Sequence, residues 1–93
     1  MQYEVILTSK FKKGVKRAKK RGLDINLLDD IVYKLQNDEP LPSKNKDHAL
    51  KGIFADFREC HIQPDWLLVY LKTENTLTLT LVDTGTHADL FEY

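Results

Sequence analysis

The chain has 93 residues, one cysteine and equal numbers of acidic and basic side chains, 14 of each. That length allows one domain, residues 1–93, which buries roughly two-thirds of the surface its unfolded chain exposes, and a lone Cys60 excludes an intrachain disulfide and fits a reducing compartment. The longest apolar run, Trp66 to Leu71, is six residues against the roughly 20 of a membrane span, so the expectation is a cytoplasmic protein with no leader and no membrane partner.

Residues 2–7 are rich in β-branched and aromatic types and predict a first strand. Ser9 is the expected N-cap of a helix in which Phe11, Val15 and Ala18 recur at helical spacing. Gly22 supplies a left-handed stop. Asp24 caps a second helix with a Leu27, Leu28, Ile31, Val32, Leu35 stripe, ended by Pro40 and Pro42. So short a turn between helices predicts an antiparallel hairpin. A polar connection covers 40–52. Ile53 to Ile62 reads as strand with a break near Phe57. Trp66 to Lys72 is a near-continuous apolar run, as in a central strand. Thr76 to Val82 alternates Leu77, Leu79, Leu81 with Thr76, Thr78, Thr80, as in a sheet with one wetter face. A turn and one helical turn close the chain. The expected class is α+β: an antiparallel sheet of four to five strands packed on an N-terminal helical hairpin, in the order β-α-α-β-β-β.

Neutrality hides an asymmetry. Residues 1–21 hold eight basic side chains against Glu4, a balance of +7, and the remainder carries −7. Lys10, Lys12, Lys13, Lys16, Arg17, Lys19 and Lys20 lie on the first helix, where they either attract a polyanion or form a solvated face.

His48, His61 and His87 each fall at a predicted loop or strand end, with Asp65 after Pro64. Histidine takes and gives a proton near neutrality. The gaps of 13 and 26 residues between the imidazoles do not match zinc-ligand spacing, and Cys60 and His61, neighbours on a strand, point to opposite faces. Neither a metal site nor a Cys-His nucleophile is expected, and no cofactor. Cleavage of RNA, by contrast, needs a base for the 2′-hydroxyl, cations at the phosphorane and an acid for the 5′-oxygen. The imidazoles fit the outer roles. Arg58, Lys46 and Lys51 fit the middle one, with plain solvation favoured for Lys51. Phe91 fits stacking on a nucleobase, or anchoring of the C-terminus.

Three blocks then carry a resemblance: Lys46-Asp47-His48-x-Leu50-x-Gly52, Arg58-Glu59-x-His61-Ile62-x-Pro64-Asp65-Trp66-Leu67-Leu68-x-Tyr70, and Gly85-Thr86-His87-Ala88-x-Leu90-Phe91. The chain resembles the YafQ branch of the RelE-like toxins of bacterial type II toxin–antitoxin systems over nearly its whole length. The resemblance implies a RelE-like fold and an endoribonuclease that cuts messenger RNA in the ribosomal A site, without a metal, through the 2′-hydroxyl. It implies His48, His61, Asp65, His87 and Phe91 as active-site positions and an antitoxin of the DinJ/RelB kind as partner. It places ribosomal RNA against the basic helix, as salt-dependent affinity. His87 is the expected acid; the base comes from His48, His61 or Asp65, with Asp65 alternatively polarising a histidine. Toxins of this kind are typically basic overall, whereas this chain is neutral, which implies either ribosome contact confined to the N-terminal helix or low activity. Two other functions fit the same scaffold: a ParE-like inhibitor of DNA gyrase, and an inactive antitoxin-binding domain. The histidines favour the nuclease. That reading requires imidazoles distant in sequence to gather on one side of the sheet.

Overall fold

A computed structural model describes residues 2–91 and 93. Strand β1 (Glu4–Leu7) leads into helices α1 (Ser9–Lys20) and α2 (Ile25–Gln36). The cap of α1 is Thr8 rather than the expected Ser9. Its Oγ1 accepts the Phe11 N–H at 3.0 Å and donates to the Val82 carbonyl at 2.6 Å, so one hydroxyl both starts the helix and ties it to the sheet. Gly22 adopts φ +78° as the helix stop requires, and Asp24 caps α2 by accepting the Asn26 N–H at 3.0 Å. Helix α2 ends before the prolines: Asp38 turns left-handed at φ 59°, and the Glu39 N–H reaches the Lys34 carbonyl at 2.8 Å.

A 3₁₀ turn at Ser43–Asn45, a two-residue strand β2 (His48–Ala49) and a second 3₁₀ turn at Gly52–Phe54 fill the polar connection. Strand β3 begins only at Arg58 and runs to Gln63. The expected strand start at Ile53 is corrected: Gly52 at φ +67° turns the chain, and Ile53 is 93% exposed. Strands β4 (Trp66–Thr73) and β5 (Thr78–Gly85) follow. The sheet order is β1-β5-β4-β3-β2. Strands β2 to β5 pair antiparallel, as expected, while β1 runs parallel to β5. The sheet is therefore mixed, since alternation along a strand carries no direction. The chain closes in turns, where the Leu90 N–H reaches the Thr86 carbonyl at 3.1 Å and the Tyr93 N–H the Leu90 carbonyl at 3.0 Å.

The helical hairpin covers one face of the sheet. Phe11, Ala18, Leu28 and Ile31 pack with Cys60, Leu68, Tyr70 and Leu81. Helix α1 approaches β5 so closely that a Cβ on Gly14 would collide with the Thr84 carbonyl oxygen, so only glycine fits there. Thr84 sits at that crossing, accepting from Trp66 Nε1 at 3.0 Å and donating to the Leu67 carbonyl at 2.7 Å. On the opposite face Leu67, Val69 and Leu90 form a second cluster with Leu50, Phe57 and Tyr93. Strand β4 is thus buried on both faces, which explains its unbroken apolar run. Its second face carries the site.

Candidate active site

Strand alternation decides which side chains meet. Cys60 and Ile62 of β3 point to the helices, where burial pushes the lone Cys60 thiol up to about 12, far from a reactive thiolate. Glu59 and His61 therefore point the other way, over Leu67. Across from Glu59 in the β2–β3 ladder stands His48. The C-terminal turn brings His87 and Phe91 over the same face.

The tightest contact is between His87 and Asp65. The Asp65 carboxylate accepts both the His87 backbone N–H at 2.9 Å and ring Nδ1 at 2.5 Å. The backbone N–H, then the ring, hold Asp65 below the usual carboxylate range. An ionised Asp65 fixes Nδ1 as the protonated nitrogen and leaves Nε2 for chemistry. His61 meets His87 edge to face, with ring centroids 5.6 Å apart, and its Nδ1 lies 3.2 Å from the Pro64 carbonyl. His48 is gripped from two sides: Nδ1 is 2.6 Å from the Lys46 carbonyl and Nε2 is 3.6 Å from Glu59 Oε1. Its Nδ1 thus has a hydrogen-bond partner, and its Nε2 faces a carboxylate at ion-pair distance.

His48 and His87 line one cleft of about 420 Å³, together with Lys51, Glu59, Leu67 and Phe91. Phe91 is 86% exposed at its rim, an aromatic face available to a base. The cleft thus combines a carboxylate-held imidazole, a second imidazole across from it, a lysine and an exposed ring. His61 joins it through the His87 contact and also lines a neighbouring cleft with Lys44, Lys46 and Gln63.

The remaining expected residues lie elsewhere. Arg58, one residue from Glu59, faces the helix side of the sheet, where its Nε donates to Asp47 at 3.3 Å and to the Tyr70 hydroxyl at 3.3 Å. Tyr70 in turn donates to Asp47 at 2.6 Å. That network braces the loop before His48 and stands outside the cleft. The basic helix divides. Lys12, Lys16 and Lys19 border an apolar groove of about 540 Å³ between the two helices and β1. Lys13 and Lys20 are exposed. Lys10 and Arg17 turn to the C-terminal segment: Lys10 Nζ is 3.4 Å from the Tyr93 hydroxyl, and Arg17 donates to the Thr84 carbonyl at 3.0 Å.

Three contributors escaped the sequence reading, and Lys51, a candidate cation for which solvation is the favoured expectation, lines the cleft. Glu59 was readable from its two-residue offset to His61. Asp89 and Arg21 form the brace of the His87 turn: Asp89 accepts the Thr86 N–H at 2.9 Å, its own N–H returns to Thr86 Oγ1 at 3.1 Å, and Arg21 Nη1 reaches the carboxylate at 2.7 Å. Thr86-x-x-Asp89 is a reciprocal capping box, recognisable in the sequence.

The chain's likeness to known proteins accords with this geometry. The sequence profile of the family described as bacterial toxin of type II toxin-antitoxin system, YafQ, matches residues 3–92. The mRNA interferase toxin YafQ of Escherichia coli K12 is 39% identical over 92 residues, spanning 98% of both chains. A chain of the E. coli DinJ–YafQ toxin–antitoxin complex is similar with a TM-score of 0.89 at 39% identity, with 98% of this chain and 99% of that one covered. A metal-bound toxin from Helicobacter pylori is similar with a TM-score of 0.90 at 45% identity, with 98% and 100% covered. In the present chain, no three His, Cys, Asp or Glu side chains among the described residues group as a metal-binding set.

Proposed function

The chain belongs to the YafQ family of bacterial type II toxins, and on that premise we propose that it is an mRNA interferase that cuts messenger RNA on the ribosome by proton transfer between imidazoles. The observation that carries this reading is the shared cleft: His48 and His87 line it together, with Asp65 locked onto His87 at 2.5 Å. A ligand pocket holding convergent titratable groups is the expected setting for acid–base chemistry.

The roles follow from the partners. His48 takes the proton of the 2′-hydroxyl at Nε2, with its Nδ1 held at the Lys46 carbonyl. The 2′-oxygen attacks the adjoining phosphorus, and the bond to the 5′-oxygen breaks. His87 delivers its Nε2 proton to that leaving oxygen, oriented by Asp65. The products are a 2′,3′-cyclic phosphate and a 5′-hydroxyl. Lys51 and His61 lie beside the path of the developing negative charge, where fixed cations and donors are most effective. Asp65 meets His87 twice through Oδ1 and serves to orient that ring. No step passes through a metal. Phe91 stacks on a base. The lysines of α1, chiefly Lys12, Lys13, Lys16, Lys19 and Lys20, meet ribosomal RNA through phosphate contacts. A cognate antitoxin is the protein partner, as DinJ is of YafQ in the E. coli complex. Inhibition of gyrase by binding alone would have no use for this arrangement of imidazoles.

Primer extension on translated messages tests the reading, comparing the chain with its His87→Ala form. Each proton transfer contributes about 10²–10⁴ in rate. Cuts by the parent that disappear in the variant, with antitoxin binding intact, support the nuclease. A His87→Ala form cutting at the parent rate contradicts it.

A further inference from the structure

Next to the catalytic cleft, on the far side of His61, lies a second cleft of about 420 Å³ lined by Leu27, Lys44, Asn45, Lys46, Ile62 and Pro64 along with His61 and Gln63. Its lining holds two lysines and no carboxylate, in a chain whose formal charge is zero, and in contrast to the first cleft, where Glu59 sits. Leu27, Ile62 and Pro64 supply an apolar surface. The two clefts meet where the His61 and His87 rings touch.

Two features single this cleft out. Lys46 adopts φ 46°, ψ 44°, a left-handed conformation that a lysine rarely takes. Such outliers persist where the surroundings over-determine them. Here the backbone twist lets the Lys46 carbonyl hold His48 at 2.6 Å while the side chain borders the second cleft. The other feature is Asn45. It is 4% exposed, its Nδ2 donates to the His61 carbonyl at 2.7 Å, and its Oδ1 has no partner among the described residues. A buried acceptor without a donor is uncommon and marks a place where a ligand or water completes the bonding.

We propose that the second cleft is a nucleotide subsite, seating the RNA residue next to the scissile phosphate, with Lys44 and Lys46 on its phosphate and its base against Leu27 and Pro64, where base N–H groups complement Asn45. The proposal rests on the RNA-cutting reading above and adds a path to it: the strand enters over Phe91, crosses the His61–His87 contact and leaves between the two lysines. A cationic groove with apolar surface for a base is the general form of a single-strand binding site.

A neutral-linkage walk tests it. Ribosomes are programmed with messages carrying one methylphosphonate at successive linkages around the cut, and the toxin concentration for half-maximal cleavage is measured. Removing one charge-assisted hydrogen bond raises that concentration about tenfold. Neutralising one adjoining linkage should cost the parent chain about tenfold. The Lys44→Gln/Lys46→Gln variant should be weakened about as much on the native message and no further on the neutralised one, and Lys44→Arg/Lys46→Arg should restore binding. Both lysines are exposed, so the variants should melt with the parent. A Lys→Gln variant as good as the parent, or penalties that multiply at every linkage, removes the subsite and leaves the nuclease standing. A parent chain that cuts no message overturns both.

Discussion

Replacing Asp89 tests whether His87 works because its turn is braced. The Asp89 side chain is 17% exposed and accepts the Thr86 N–H at 2.9 Å, with Arg17 Nε at 3.4 Å and Arg21 Nη1 at 2.7 Å. A charge-assisted hydrogen bond from a backbone donor contributes about 1.5–3 kcal/mol; the two guanidiniums add less, because solvent screens them. Asp89→Ala should therefore weaken the turn by about 2 kcal/mol. If that weakening falls on the presentation of His87, kcat drops about 10–30-fold, and the melting temperature drops by at most about 10 °C. Asp89→Asn keeps an acceptor for Thr86 and should fall between. Arg21, the Thr86 N–H and Arg17 hold Asp89 well below the usual carboxylate range. A depressed folded pKa means that the contribution is full above about pH 4, the unfolded value, and is lost as pH falls toward the folded one. The gap in melting temperature between parent and Asp89→Ala should accordingly close under acid. Single-turnover cleavage on programmed ribosomes and thermal melts across pH supply the data. A variant that melts earlier yet cuts at the parent rate would refute the link between brace and catalysis.

Three further outcomes are expected. Asp65→Asn removes the charge that orients His87 and should slow cleavage about 10–100-fold, with the circular-dichroism spectrum unchanged. Phe91→Ala removes a ring that is 86% exposed; the half-maximal concentration should rise at least about fivefold because no base can stack there, while Phe91→Tyr should match the parent and neither should change the melt. Phenanthroline, which spares the magnesium of ribosomes, should leave the cleavage rate unaltered, because proton transfer needs no transition metal; inhibition reversed by added zinc or copper would contradict that.

Several elements were legible in the residues, each for a physical reason. The β4 run, the α2 stripe, Gly22 and Asp24 follow from periodicity and backbone preference and stand as expected. The imidazoles at strand ends were legible as a set, and they come together because β2, β3 and the closing turn all end over one face. Arg58 was not placed, because strand phase was uncertain. A strand read from Ile53 leaves the side of Arg58 open, and a shift of one residue exchanges the faces. With β3 starting at Arg58, the arginine falls opposite Tyr70 and Glu59 falls opposite His48. Solvation was the favoured reading of Lys51 because its place in the cleft depends on the turn at Gly52. The direction of β1 was invisible, since the parallel pairing with β5 joins residues more than 70 positions apart.

The chemistry of the new RNA ends tests the central claim most directly. Fragments released on ribosomes can be labelled by polynucleotide kinase without prior phosphatase treatment only if they carry a 5′-hydroxyl, and mass spectrometry reads the partner end. Attack by the 2′-oxygen with His48 as base and His87 as acid predicts a 5′-hydroxyl and a 2′,3′-cyclic phosphate, the latter opening to a 3′-phosphate. A 5′-phosphate with a free 3′-hydroxyl would mean that water, not the neighbouring hydroxyl, is the nucleophile, and would contradict the account.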